Sequence, residues 1–127
     1  MNHAFDPARG LIMVRAKLHG PSAIVELSLA LDTGASQSMI NVMPLTLAGY
    51  LPGDATEHVE ITTGSGVAYA PQLSVDRISA LGVGKTEFHV LAHTLPPSAG
   101  IDGLLGLDFM RDRILRIDFR RSTISLR

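Results

Sequence analysis

At 127 residues, with 46% hydrophobic and 18% charged side chains, the chain has the size and apolarity of one packed domain and not of a disordered segment. Its formal net charge of −1 gives no electrostatic reason to expect nucleic acid or an anionic membrane as partner, and its four Phe and two Tyr are too scattered to form a stacking platform. With no cysteine, it has no disulfide framework, thiol nucleophile or cysteine-based zinc site. Met1 to Gly10 contains Asp6, Pro7 and Arg9 and lacks an apolar centre, so it is expected as an N-terminal extension (1–10) to one domain over 11–127, not as a secretory signal. There is no stretch long and apolar enough to be a membrane segment in this chain. The compartment is unknown from sequence, cytoplasmic by default.

The rest divides into short strands separated by turn residues, which predicts an all-β fold with one or two short helices. Val14, Ala16 and Leu18 alternate with Arg15 and Lys17, and His19-Gly20-Pro21-Ser22 then breaks the run before a second strand, the pattern of a hairpin. Within Asn41 to Tyr50, Val42, Leu45, Leu47 and Ala48 lie near helical spacing, with Pro52-Gly53 beyond, so one short helix is expected. Glu60 to Tyr69 reads as two β-prone arms around Gly64-Ser65-Gly66, a tip that bends cheaply. A hairpin is expected between Leu73 to Ile78 and Thr86 to Leu95. At the C-terminus, Leu115, Ile117 and Phe119 alternate with Arg116, Asp118 and Arg120, and Arg121-Ser122 turns the chain into Thr123 to Arg127 as a closing hairpin.

The chemistry concentrates in Ser28-Leu29-Ala30-Leu31-Asp32-Thr33-Gly34-Ala35-Ser36. Val25, Leu27, Leu29 and Leu31 alternate with Glu26, Ser28, Ala30 and Asp32, so a strand places the large apolar side chains on one face and Asp32 on the other. Gly34 then lets the backbone turn sharply and approach closely. A carboxylate held at a strand end in this way suits a catalytic acid or base, although the triplet alone is equally an Asx-type turn. The second informative segment is Ile101-Asp102-Gly103-Leu104-Leu105-Gly106-Leu107-Asp108-Phe109-Met110, an apolar pair closed by Gly ahead of a run that can start a helix.

Together, the two segments resemble the retroviral-type (retropepsin-like) aspartic proteases, in their single-domain cellular and bacterial branch, over roughly residues 11–127. The resemblance implies a closed β-barrel or sandwich with a flap hairpin, and Leu104-Leu105-Gly106 lying beneath the Asp-Thr-Gly triplet. It also implies catalytic roles for Asp32, Thr33 and Gly34. Thr33 resembles the position whose hydroxyl bonds to the opposite subunit's loop, Gly34 the one whose backbone N–H serves the carboxylates, and Ala35 one that lines the cleft. The Gly-rich hairpin corresponds to a flap closing over bound peptide, which makes Thr63, Gly64, Ser65 and Gly66 the expected substrate-binding residues. Which of Thr63, Ser65 and Tyr69 touches substrate stays open. The chain departs from the viral pattern at Ser36 and Gln37, where acidic residues are usual, and at Leu107, where an Arg helps hold the dimer.

What the resemblance implies for mechanism follows from a shortage. Aspartic proteolysis uses two carboxylates, one protonated and one ionised, to activate water and to protonate the carbonyl oxygen and then the leaving amine. Asp32 is the one Asp followed by Thr-Gly or Ser-Gly, so the second carboxylate is expected from Asp32 of another copy in an isologous homodimer acting on a polypeptide. Two such charges about 4 Å apart repel by roughly 4 kcal/mol at an effective dielectric of about 20, so the pair shares one proton and titrates as a unit. Neither a metal nor another cofactor is required. The competing class is a non-catalytic peptide-binding or dimerisation module that keeps the fold without turnover.

Three other signals carry less. Leu81-Gly82-Val83-Gly84-Lys85-Thr86 is near to a nucleotide phosphate loop, but the motif needs Gly where the chain has Ser79. His89 and His93 are four apart, a metal-binding spacing on a helix but not on the strand expected here. Asp108 reads as a helix cap or dimer contact rather than a catalytic group.

Overall fold

A computed structural model describes residues 1–127; the side chain of Thr63, one of the expected substrate contacts, lies outside the described residues. The elements in chain order are β1 (His3–Ala4), β2 (Met13–His19), β3 (Ile24–Leu31), β4 (Met39–Ile40), α1 (Val42–Ala48), β5 (Glu57–Thr63), β6 (Gly66–Ala80), β7 (Val83–Ala92), β8 (Gly103–Leu105), α2 (Leu107–Met110), β9 (Leu115–Asp118) and β10 (Thr123–Leu126). This is the all-β, barrel-forming architecture expected. β2 pairs antiparallel with β3 on one side and with β6 on the other, which closes the order β2-β3-β8-β4-β7-β6 into a six-stranded barrel, with β5 continuing outward from β6. A separate three-stranded sheet runs β1-β10-β9.

Alternation determines which side chains fill the barrel. Val14, Ala16 and Leu18 of β2 and Leu27 and Leu29 of β3 are buried, while Arg15, Lys17, Glu26 and Ser28 between them face solvent. Ile40, Leu45, Val75, Ile78, Val90, Leu105 and Phe109 join them in one core, while Ile61 of β5 packs with Ala70 and Leu91 in a smaller cluster. Phe88 meets Phe109 edge to face, with ring centroids 5.9 Å apart.

Local chemistry sets the turns. The β6–β7 hairpin turns on Leu81 and Gly82, both at positive φ (54° and 76°), as a two-residue turn between right-twisted strands requires. Gly84-Lys85-Thr86, the remnant of the phosphate-loop pattern, is therefore paired strand and cradles nothing. α1 ends where Gly49 adopts a left-handed conformation (φ 105°) and donates to the Thr46 carbonyl, and Pro52 follows. The first ten residues, read from sequence as an extension, contribute to the packed structure: β1 pairs with β10, and Phe5 is buried in the core and stacks edge-on against Phe119.

The topology that matters most is the position of β8. It inserts between β3 and β4, parallel to β3 through Leu29↔Gly103 and Leu31↔Leu105, and antiparallel to β4 through Ile40↔Gly103. Gly103 is needed because a Cβ there would run into the Met39 carbonyl. The loop from Leu31 to Met39 is thus slung between two strands that both flank β8.

Candidate active site

Asp32 follows the last residue of β3 and is half-buried. Its backbone N–H donates to the Leu105 carbonyl of β8 at 2.9 Å, so the parallel ladder extends one step and fixes the Cα from which the carboxylate projects. Oδ1 accepts the Gly34 N–H at 2.8 Å, and the Asp32 carbonyl accepts the Ala35 N–H at 3.2 Å. Glycine at position 34 answers to close approach, because a Cβ would stand 3.1 Å from Oδ1, tighter than side chains normally tolerate. An Asx turn and a positioned acid are here the same object: the turn satisfies one oxygen and leaves the carboxyl group aimed off the strand end.

The far half of the loop is tied down from below. The Leu107 N–H donates to the Ala35 carbonyl at 2.8 Å. Ser38 is fully buried, and its Oγ donates to Asp108 Oδ1 at 2.7 Å while accepting the Gly106 N–H at 2.9 Å. Its backbone N–H donates to Asp108 Oδ2 at 2.9 Å. Gly106 permits this because a Cβ would sit 2.7 Å from the Ala35 carbonyl oxygen. Leu104-Leu105-Gly106 and Asp108 together form the floor on which the acidic loop rests. Asp108, the second residue of α2, also accepts the Phe109 N–H at 2.9 Å; the cap position is taken by Gly106, so Asp108 is not the helix cap expected from sequence.

A groove of about 440 Å³ opens beside Asp32, lined by Gly34, Ala35, Gln37, Glu60 and Ile61 among others. Its charged lining consists of two carboxylates, Asp32 and Glu60, with no cation. Met39, Ile61, Thr62 and Leu104 also border a second, more apolar recess of about 770 Å³, which runs under the β5–β6 tip to His93 and Pro96. Of the residues expected from sequence, Asp32, Gly34 and Ala35 line the first space and Gly64 and Ser65 the second, whereas Thr33 is exposed on the loop and Gly66 begins β6. The β5–β6 turn therefore borders a recess that shares Met39, Ile61, Thr62 and Leu104 with the Asp32 groove. His89 lies on β7 and His93 just beyond its end, so the two are not on a helix.

Sequence reasoning did not anticipate a polar chain linking the acidic loop to the base of the flap. Gln37 Nε2 donates to Gln72 Oε1 at 2.8 Å, and Gln72 Nε2 donates to Glu57 Oε2 at 2.9 Å. Nor did it give Asp102 its place, where Oδ2 accepts the Ser28 N–H at 2.8 Å and stitches the approach to β8 onto β3. A depression of about 580 Å³ at Arg15, Lys17 and Asp102 exceeds the Asp32 groove in volume but lacks the triplet loop, so size does not select the site.

Over residues 24–112 the sequence matches the family model described as "gag-polyprotein putative aspartyl protease". The chain belongs to this aspartyl protease family. The match runs from the first residue of β3 past α2 and so contains both halves of the loop-and-floor arrangement. Among solved structures, the retropepsin-like aspartic protease from Rickettsia conorii superimposes with a TM-score of 0.75 at 16% identity, covering 99% of this chain and 89% of that one. At that identity the likeness speaks for the fold, and the aspartyl protease fold is what the barrel, flap hairpin and inserted β8 compose. No curated protein matches the sequence significantly.

Proposed function

We propose that the chain is an aspartic endopeptidase whose active form is a homodimer, with Asp32 of each copy forming one catalytic pair. The observation that carries the reading is the single acidic loop, held from β8 and opening onto a groove walled by the β5 arm of the β5–β6 hairpin. One such loop offers one carboxyl group, and the chemistry needs two. In the pair, the ionised carboxylate takes a proton from the attacking water while its protonated partner gives a proton to the scissile carbonyl oxygen. The resulting diol collapses as the nitrogen is protonated and the C–N bond breaks, and no covalent enzyme intermediate forms. Thr33, exposed beside Asp32, is suited to reach the partner's loop, and the Gly34 N–H already holds Oδ1. Ala35 forms groove wall, and Gly64, Ser65 and Gly66, with Thr63 alongside, bring backbone donors over an extended peptide.

The test pairs mass in solution with peptidase rate over a dilution series, using a peptide library between about pH 4 and 7. Dimer and activity are expected to disappear together on dilution, and Asp32→Asn to lose about a thousandfold or more of the rate while keeping the fold. Equal rates for wild type and Asp32→Asn, or full activity from monomers, would overturn the proposal.

A further inference from the structure

β6 changes partner along its 15 residues. It pairs with β5 from Gly66 to Gln72 and with β7 from Gln72 to Ala80, and Gln72 alone stands in both registers, opposite Glu57 on one side and Leu91 on the other. Beyond this point the flap is a two-stranded arm, and Pro71 removes a ladder donor where the arm leaves the barrel. The arm is also set apart in its packing, because Ile61 and Ala70 join Leu91 in a small cluster separate from the main core. A hairpin attached in this way can tilt about Gln72 with little loss of buried contact.

The side chain at this pivot is tied in two directions. Gln72 Nε2 donates to Glu57 Oε2 at 2.9 Å across the base of the arm, and Gln72 Oε1 accepts from Gln37 Nε2 at 2.8 Å. Gln37 belongs to the acidic loop and adjoins the buried Ser38. Leu91 of β7 separates the two elements in the sheet, since its N–H donates to the Ser38 carbonyl at 3.0 Å while it lies opposite Gln72. The bond between the two amides therefore bridges over a strand and links loop to flap where the backbone ladders do not. Its direction is set from one end. An ionised carboxylate only accepts, so Glu57 draws the Gln72 NH2 towards itself, which leaves the Gln72 oxygen to accept from Gln37. Glutamate at position 72 would have the length without the donor, and leucine would have neither donor nor acceptor.

We propose that Gln72 is a positioning residue: through Gln37 and Glu57 it keeps the flap arm in register with the Asp32 loop, so that closure over a substrate and placement of the carboxyl group are one coupled movement. Gln72 does not itself line the Asp32 groove and acts only through these two neighbours. The coupling of loop to flap stands on the geometry, and its effect on turnover rests on the protease reading.

The test uses the full chain as wild type, Gln72→Glu and Glu57→Gln/Gln72→Glu. The single variant keeps the shape and sets a second carboxylate against Glu57. The double variant restores a donor and an acceptor with their direction reversed, while Gln37 still finds an oxygen at position 72. On a peptide that the wild type cleaves, Gln72→Glu should lose about tenfold in kcat/KM through both a lower kcat and a higher KM. Without substrate, the amides of residues 33–37 and of the β5–β6 arm should exchange faster together in Gln72→Glu, while those of β2–β3 stay protected. The double variant should recover most of the rate and the protection in both segments, which a role in bulk packing alone would not produce. Faster exchange in one segment without the other, a fall in kcat at unchanged KM, or no recovery in the double variant overturns the proposal. Equal rates for wild type and Asp32→Asn would sink the protease reading by itself, and amide exchange would then still decide whether Gln72 couples loop to flap.

Discussion

Ser38 Oγ lies 2.7 Å from Asp108 Oδ1, and the Ser38 backbone N–H lies 2.9 Å from Oδ2 of the same carboxylate, so the two residues meet as a fork across 70 positions of sequence. Ser38 is wholly buried and also takes the Gly106 N–H, which makes it the joint between the acidic loop and its floor. Ser38→Ala leaves the Gly106 N–H without its partner and takes from Asp108 Oδ1 one of its two donors, at a cost of about 1–3 kcal/mol. If the pair positions Asp32, kcat should fall more than KM rises, and Ser38→Thr, which keeps the hydroxyl, should restore most of the rate. Amide exchange gives a readout independent of turnover: residues 33–37 should exchange faster in Ser38→Ala while the β2–β3 amides stay protected. Protection unchanged throughout that loop would sink the idea.

This fork shows where sequence reading stops. The Asp-Thr-Gly triplet, the apolar pair before Gly106 and the turn residues are local signals, and the barrel, its hairpins and both helices stand where those signals point. Asp108 was readable as a helix cap, but Gly106 takes the cap position and Asp108 is the second residue of α2. Its larger task depends on a serine that no periodicity marks, because the contact exists only once β8 has slid between β3 and β4. The same holds for β6. Pro71 interrupts its pattern, yet one strand runs from Gly66 to Ala80. Pro71 pairs with His58 of β5 just before β6 takes β7 as partner at Gln72, so the missing N–H falls at a junction between ladders.

Two glycines of the cleft should respond oppositely to a methyl group. At Gly106 a Cβ would approach the Ala35 carbonyl oxygen to 2.7 Å and the Gln37 carbonyl carbon to 3.0 Å, backbone atoms that cannot swing aside. Gly106→Ala is therefore expected to destabilise the protein by about 2 kcal/mol or more. At Gly64 nothing lies within 4 Å of the added carbon and φ is not positive, so Gly64→Ala should leave stability within about 0.5 kcal/mol. Urea denaturation of the two variants decides the point. Equal midpoints would mean that the floor yields more readily than its geometry indicates.

Tyr50 offers a pH test away from the cleft. Its hydroxyl donates to the His19 carbonyl at 2.7 Å and accepts the Asp76 N–H at 2.7 Å, joining the end of the α1 segment to β2 and β6. Burial raises the pKa of this phenol above its ordinary 10.0, the bond from the Asp76 N–H opposes the rise, and the Asp76 charge adds to it. A raised value means that the folded state holds the proton more tightly than the unfolded chain does. The associated stability is therefore complete below the unfolded value near 10 and is lost as pH climbs through the higher folded one. Tyr50→Phe removes both hydrogen bonds and leaves the His19 carbonyl and the Asp76 N–H unmatched, which should cost about 1–3 kcal/mol at neutral pH. The difference in unfolding free energy between wild type and Tyr50→Phe should then narrow between about pH 9 and 11, with the exposed Tyr69 common to both chains and cancelling from the comparison. A gap that stays constant over that interval would show that the phenol's proton is not linked to folding.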